Sequence, residues 1–354
     1  MARHHARKVA GQKSINLALQ GGGAHGAFTW GVLDKVFEDG RLWIDAISGT
    51  SAGAMNAVVA AQGMYNGGGE GARVALHDFW KAISRVGFLS PVRRGVVDRL
   101  LGNWALDNSP GFLWLDLLSR MASPYELNPA NLNPLRDLVE KVIDFEKVRD
   151  SEDMPIFISA TNVETGRVRV FNREEITLDV VMASACLPHL FHAVEIDGAP
   201  YWDGGFMGNP VLFPFFEMSP CDDIVIVQIN PIFRGGAPKT AADIMNRVNE
   251  ITFNSSLLRD LRAIDFVRRL IREGKLEEGT YRDVKVHIIE ARKQMRPMKA
   301  SSKMNSEWRF LTHLRDIGRH AAGRWIEKNF DEIGTRSTVD LREMFSSHKN
   351  PHAD

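Results

Sequence analysis

The chain has 354 residues, 44% of them hydrophobic, and its 44 Lys and Arg offset 44 Asp and Glu. That is apolar material for one large domain or two modest ones, and the charge balance removes any global field toward nucleic acid or an anionic membrane, so lipid contact has to be local. Two cysteines, Cys186 and Cys221, stand far apart without ligand-like spacing, which argues against a disulfide framework or a zinc site and predicts buried thiols in a reducing compartment.

Residues 1–14 are basic and predicted flexible, without the apolar stretch of a signal peptide, and no run approaches the roughly 20 apolar residues that span a bilayer. The expectation is a cytoplasmic protein whose membrane association, where it occurs, is peripheral. Ile15 to Gln20 reads as a strand ending in three glycines, followed by a helix through Trp30, Leu33 and Phe37 to a stop at Gly40. Ile44 to Ser48 and Ala52 to Ala61 repeat that plan. Two βα units predict an α/β fold with a mainly parallel central sheet covered by helices on both faces.

From about Val74 to Asp150 the pattern becomes helical and aromatic, with Trp80, Trp104, Phe112 and Trp114 around a Ser109-Pro110-Gly111 turn, and predicts an inserted helical cap. Its apolar stretch Phe112 to Met121 suits an acyl-chain groove, a lipid contact or simply the core of the cap. Strands are expected again at Pro155 to Ala160, Val168 to Phe171, Val194 to Ile196, Pro200 to Trp202, Ile224 to Ile229 and Val284 to Ile289, with turns at Thr165-Gly166 and Asp197-Gly198. Two amphipathic helices, one carrying Ile244, Val248, Ile251, Leu258, Leu261 and Ile264, the other Trp308, Leu311, Leu314, Ile317 and Trp325, are expected to dock on the sheet. Residues 15–215 thus form a first part including the cap at about 74–150, residues 216–345 complete the same fold, and 346–354 form a polar, disordered tail.

Three motifs carry chemistry. Gly21-Gly22-Gly23-Ala24-His25-Gly26 has G-x-G-x-x-G spacing between a strand and a helix, which suits either a dinucleotide phosphate or the oxyanion of a tetrahedral intermediate. A dinucleotide site wants an acidic residue at the end of the second strand, whereas Asp45 stands near its start. That strand ends instead in Gly49-Thr50-Ser51-Ala52-Gly53, a G-x-S-x-G turn from strand to small-residue helix that presents a serine hydroxyl above a sheet. The third motif, Asp203-Gly204-Gly205, puts a carboxylate at a strand end. No histidine stands in a motif that aims it at Ser51; His77, His189, His192, His287, His313 and His320 are candidates by position only.

With these motifs in this order, and with Ala183-Ser184, Pro188 and Asn209-Pro210 beside them, the chain resembles the patatin-like phospholipase family over about Ile15 to Pro210. The resemblance implies a three-layer α/β fold and a dyad in which Ser51 is the nucleophile and Asp203 its base. It also implies an oxyanion loop over Gly21, Gly22, Gly23, Ala24, His25 and Gly26, an elbow of Gly49, Thr50, Ala52 and Gly53, and a supporting Gly204-Gly205 turn. No metal and no cofactor is implied. The substrates would be fatty-acyl esters of phospholipid, lysophospholipid or acylglycerol type, and the oligomeric state is left open. A free aspartate, with a pKa of about 3.9, is a poor base for a serine hydroxyl, so burial beside the elbow and stabilisation of the intermediate have to make up the difference. His25 departs from the Arg or Lys usual in the family's loop; a histidine can still donate a hydrogen bond there, and if charged it would make the loop sensitive to pH near neutrality. That departure motivates the alternative of a catalytically weak lipid-binding or regulatory module.

Overall fold

In the computed structural model the described residues are 8–88, 92–95, 98, 102–277 and 279–345; the expected tail 346–354 and the first residues of the expected flexible N-terminus lie outside them. The chain runs β1 (Lys13–Leu19), α1 (Gly26–Asp39), β2 (Leu42–Gly49) and α2 (Ala52–Phe88), then α3 (Pro110–Met121), α4 (Pro124–Leu127), α5 (Pro134–Val142) and α6 (Phe145–Arg149). It continues through β3 (Ile156–Asn162), β4 (Val168–Phe171), α7 (Leu178–Ser184), β5 (Val194–Ile196), β6 (Ala199–Asp203), α8 (Phe213–Met218) and β7 (Asp223–Val227). Last come α9 (Ala241–Arg272), β8 (Lys285–Ile289), α10 (Arg292–Met295), α11 (Trp308–Asn329) and α12 (Leu341–Phe345).

These strands make one mixed sheet, α/β and mostly parallel, in which β3, β2, β1, β7 and β8 run side by side in one direction. β4 and β6 join β3 antiparallel. Successive side chains of a strand point to opposite faces, and β1 divides its apolar residues accordingly. Ile15, Leu17 and Leu19 join a core with α1, α2 and α11, while Ala18 faces Leu257, Leu261 and Ile264 of α9. The sheet is therefore the middle of three layers.

Register explains how two distant motifs meet. On one edge of β3, Gly49 pairs with Ile158 and, two residues further along, Asp203 pairs with Ala160; β4 pairs with both Ile158 and Ala160 from the other edge. β2 and the antiparallel β6 thus point their C-terminal ends at each other along β3, about 7 Å apart at 3.3 Å per residue. The turn that feeds β6 has Asp197 at φ 53° and Gly198 at φ 76°, two left-handed residues in succession as a two-residue hairpin turn requires.

Three expectations are revised by the packing. The helix α9 does lie on the sheet, but only from Leu257 onward; Ile244, Val248 and Ile251 in its first half are exposed. α11 packs chiefly along α1 rather than on the sheet, because glycines let the two helices approach closely. The stretch 74–88 continues α2 beyond a break at Gly67 and Gly68, and buries Phe79 and Trp80, the latter stacked on Trp30 at 6.4 Å. α3 is capped by Ser109, whose side chain accepts from the Phe112 amide, and Leu113, Trp114, Leu117, Leu118 and Met121 along it face solvent. That stripe is not core.

Candidate active site

Ser51 sits between β2 and α2 at φ 55°, a left-handed conformation that costs a non-glycine residue roughly 1–2 kcal/mol and persists only where the surroundings impose it. They do. Gly53 lets the first turn of α2 lie directly on β1, since a Cβ there would collide with the Leu19 carbonyl oxygen. The Ser51 amide donates to Ser184 Oγ at 2.8 Å, and Thr50 Oγ1 bonds Ser159 Oγ and the Gly208 carbonyl, each at 2.7 Å. The Ser51 side chain is left at the rim of the core, 9% exposed.

Asp203 ends β6 with its backbone held on both sides: its amide donates to the Cys186 carbonyl at 2.8 Å, and its carbonyl accepts from Thr161 Oγ1 at 2.8 Å. Its Oδ1 accepts from the Gly205 amide at 2.7 Å. Burial pushes its pKa up to about 7, against the opposing pull of the Gly205 N–H, the Ser51 hydroxyl and the Lys303 ammonium. Desolvation dominates because the carboxylate is shut from water and, among the described residues, forms no ion pair. Ser51 is thus the hydroxyl neighbour of a buried aspartate that is half-protonated near neutrality.

The glycine loop follows β1 at the same end of the sheet. Gly21 lies so close to the elbow that a Cβ there would be 2.8 Å from Ser51 Cβ. Its amide is committed to Asn209 Oδ1 at 2.6 Å, and its carbonyl accepts from Asn230 Nδ2 at 2.9 Å. Gly23, at φ 57°, opens a single 3-10 turn ending at His25, and the His25 amide closes back on the Gly22 carbonyl at 3.2 Å. The amides of Gly22, Gly23 and Ala24 come too early in this turn to have an acceptor within it. Gly21, whose amide is already used, supplies room rather than a donor.

Of the two alternatives open for His25, the structure shows the hydrogen bond and not the charge. It is buried, and its Nε2 bonds Ser302 Oγ at 2.8 Å, while that hydroxyl donates to the Lys299 carbonyl at 2.6 Å, so the imidazole is the donor. Burial first, then the charges of Lys303 and Arg234, lower its pKa to about 3. It is neutral throughout the physiological range and is no pH switch. Among the described residues no three His, Cys, Asp or Glu side chains converge on a point. His192 bonds the Pro124 carbonyl and His287 bonds Asp223, so both are engaged away from the elbow.

The structure therefore brings Ser51, Asp203 and the glycine loop together. Sequence reasoning missed Asn209 and Ser184 as hydrogen-bonding supports, and missed Gln20, whose Oε1 accepts from the amides of Ile229 and Asn230 at 2.9 Å each and ties the loop to the end of β7.

The description patatin-like phospholipase matches residues 17–216, more than half of the chain. The chain belongs to the patatin-like phospholipase family. Members of this family are lipid acyl hydrolases, and the matched span contains all three motifs. Solved structures similar in outline include VipD from Legionella pneumophila, at 15% identity and TM-score 0.37 over 89% of this chain and 70% of VipD. Another is ExoU in its heterodimeric complex with SpcU from the type III secretion system of Pseudomonas aeruginosa, at 15% identity and TM-score 0.35. That match covers 91% of this chain and 52% of the ExoU chain, so this chain spans about half of ExoU's length. No curated protein matches in sequence.

Proposed function

We propose that the protein is a serine acyl-ester hydrolase acting on phospholipid, lysophospholipid or acylglycerol esters through a Ser51–Asp203 dyad. The observation that carries this reading is a strained serine at a strand-to-helix turn beside a buried aspartate whose pKa is about 7. That value removes the objection to aspartate as a base, since general bases work best with a pKa near the working pH.

In this mechanism ionised Asp203 takes the Ser51 proton as Oγ attacks the ester carbonyl. The amides of Gly22, Gly23 and Ala24 receive the oxyanion, each aligned donor contributing about 10² to 10³ in rate. Collapse of the tetrahedral intermediate expels the alcohol, which takes the proton from Asp203, and leaves an acyl-Ser51. Asp203 then deprotonates a water that attacks the acyl-enzyme, releasing the fatty acid and restoring Ser51. The exposed stripe of α3 supports contact with the surface of a lipid aggregate, the place where such substrates reside; among the described residues no helix is long and apolar enough to cross a membrane.

The test is covalent labelling with a fluorophosphonate. Wild type is expected to label and Ser51→Ala to remain unlabelled while folded; folded wild type that resists the probe would favour the lipid-binding module over the hydrolase. Asn209→Ala, which strips the Gly21 amide of its acceptor, is expected to slow labelling about ten-fold, since a buried N–H left unpaired costs about 1–3 kcal/mol. Unchanged labelling in that variant would show that the loop is held without Asn209.

A further inference from the structure

The turn Ala300–Met304, about 100 residues beyond the last motif, packs directly on the glycine loop. Two successive residues make the contact. Ser302 accepts from His25, and Lys303 lies over Gly23, where a Cβ would be 2.5 Å from the Lys303 carbonyl oxygen and 3.3 Å from its Cβ. Only glycine fits beneath that backbone.

The Lys303 side chain turns inward. Its Nζ donates to Asn230 Oδ1 at 2.8 Å, and Asn230 Nδ2 in turn donates to the Gly21 carbonyl at 2.9 Å. The ammonium also lies 5.7 Å from the centre of the Phe253 ring, whose edge occupies the space beside Gly205 that a Cβ would fill. It is thus bounded by the glycine loop on one side and by the turn after Asp203 on the other. The charged groups whose fields reach it are Glu250 from α9, Asp203 from the end of β6 and Arg234 from the loop after β7. Glu250 is already engaged by Arg234 at 2.6 Å and Arg247 at 3.2 Å. His25, the only titratable side chain of the loop, is neutral.

Building on the hydrolase reading above, we propose that Lys303 is the positioning residue that supplies the positive charge of this active site, holding the oxyanion loop through Asn230 and favouring the ionised form of Asp203. A cation at this place acts twice. It favours the carboxylate over the carboxylic acid, and its field favours negative charge developing at the loop's amides in the transition state. Burial brings its own pKa down to about 8, with Glu250 and Asp203 pulling it back up. Both required forms, ionised Asp203 and protonated Lys303, therefore coexist best in a narrow window between about 7 and about 8.

The experiment compares wild type, Lys303→Gln and Lys303→Arg, each checked for folding by circular dichroism. Two readouts are taken: the pH profile of kcat/KM on a soluble acyl ester, and the titration midpoint of the Asp203 carboxyl followed by carbon-13 NMR. Glutamine removes the charge and still offers an N–H toward Asn230, on a side chain one atom shorter than lysine. It is expected to raise the Asp203 midpoint by up to about one pH unit, to lower activity at pH 7 up to about ten-fold and to abolish the alkaline decline near pH 8. Arginine is expected to keep the low midpoint and extend activity to higher pH. If both variants lose activity equally at every pH and the Asp203 midpoint does not move, Lys303 is merely structural and the proposal is overturned. Wild type without hydrolysis would remove the hydrolase reading instead, and the NMR midpoint would still decide whether Lys303 controls Asp203. Should Lys303→Gln fail to fold, an alkaline limb in Lys303→Arg that stays near pH 8 overturns the proposal by itself.

Discussion

Asp203→Asn is expected to lower ester hydrolysis by about 10² to 10⁴, the usual value of general-base help, and at the same time to make the folded protein more stable above neutral pH. Burial raises the Asp203 pKa from 3.8 to about 7. A carboxyl whose folded pKa lies above its unfolded one binds its proton more tightly when folded. Between pH 4 and 7 the folded state therefore holds a proton that the unfolded state has released, and stability falls as pH rises through that window. Above it the penalty is constant, at most about 4 kcal/mol for a shift of this size. Asparagine is neutral at all pH, can still accept from the Gly205 amide, and has no such penalty. Urea unfolding of the variant should show a gain of about 2–4 kcal/mol at pH 8 that shrinks toward pH 4. A variant no more stable than wild type at pH 8 would mean that Asp203 is not held at a cost to folding, and the account of it as a poised base would fall with that result.

What the sequence revealed was what depends on local backbone chemistry. Three glycines at a helix start, a serine flanked by small residues and an aspartate before two glycines each describe a backbone that few other residues can adopt, so the loop, elbow and turn were legible where they stand. Their convergence was legible only through the family resemblance, because it depends on β6 meeting the end of β2 along β3, a matter of register between strands more than 150 residues apart. The supports were not legible as such: Ser184 and Asn209 stood out as part of the resemblance, and their hydrogen bonds to the elbow and the glycine loop did not. Lys303 is one of 44 basic residues, and nothing in its neighbours announces that its ammonium reaches Asn230. The state of His25 was left open for a related reason: its charge depends on burial beside Ser302 and near Lys303, residues almost 280 positions away. The apolar period of α9 and α11 was read correctly as helical, but period does not say what a face meets. Ile244, Val248 and Ile251 in the first half of α9 meet solvent, and α11 meets α1.

That helix pair carries the second large effect. Gly318→Leu is expected to cost about 3 kcal/mol or more of stability, because a side chain there has to displace backbone and not a movable side chain. A Cβ at Gly318 would strike the Phe28 carbonyl oxygen and lie 3.0 Å from the Val32 amide, and one at Gly31 would strike the Arg315 carbonyl oxygen. Ion pairs of Arg319 with Asp34 and, at 2.7 Å, with Glu38 close over the same contact. The consequence reaches the active site through geometry. α1 begins at Gly26, the last residue of the glycine loop, and α11 begins four residues after the turn that carries Ser302 and Lys303. Forcing the helices apart draws that turn from the loop, lengthens the 2.8 Å bond between His25 and Ser302 and moves Lys303 from Gly23. Gly318→Leu should therefore lower kcat/KM even at temperatures where it remains folded. Gly323→Ala is the control in the same helix: its Cβ would meet nothing closer than the flexible end of Lys35 at 3.5 Å, so it should stabilise by about 0.5–1 kcal/mol and leave activity unchanged. Wild-type activity in folded Gly318→Leu would show that the glycine loop keeps its shape without the clamp of α11, and that the turn at 300–304 rests on the loop without restraining it.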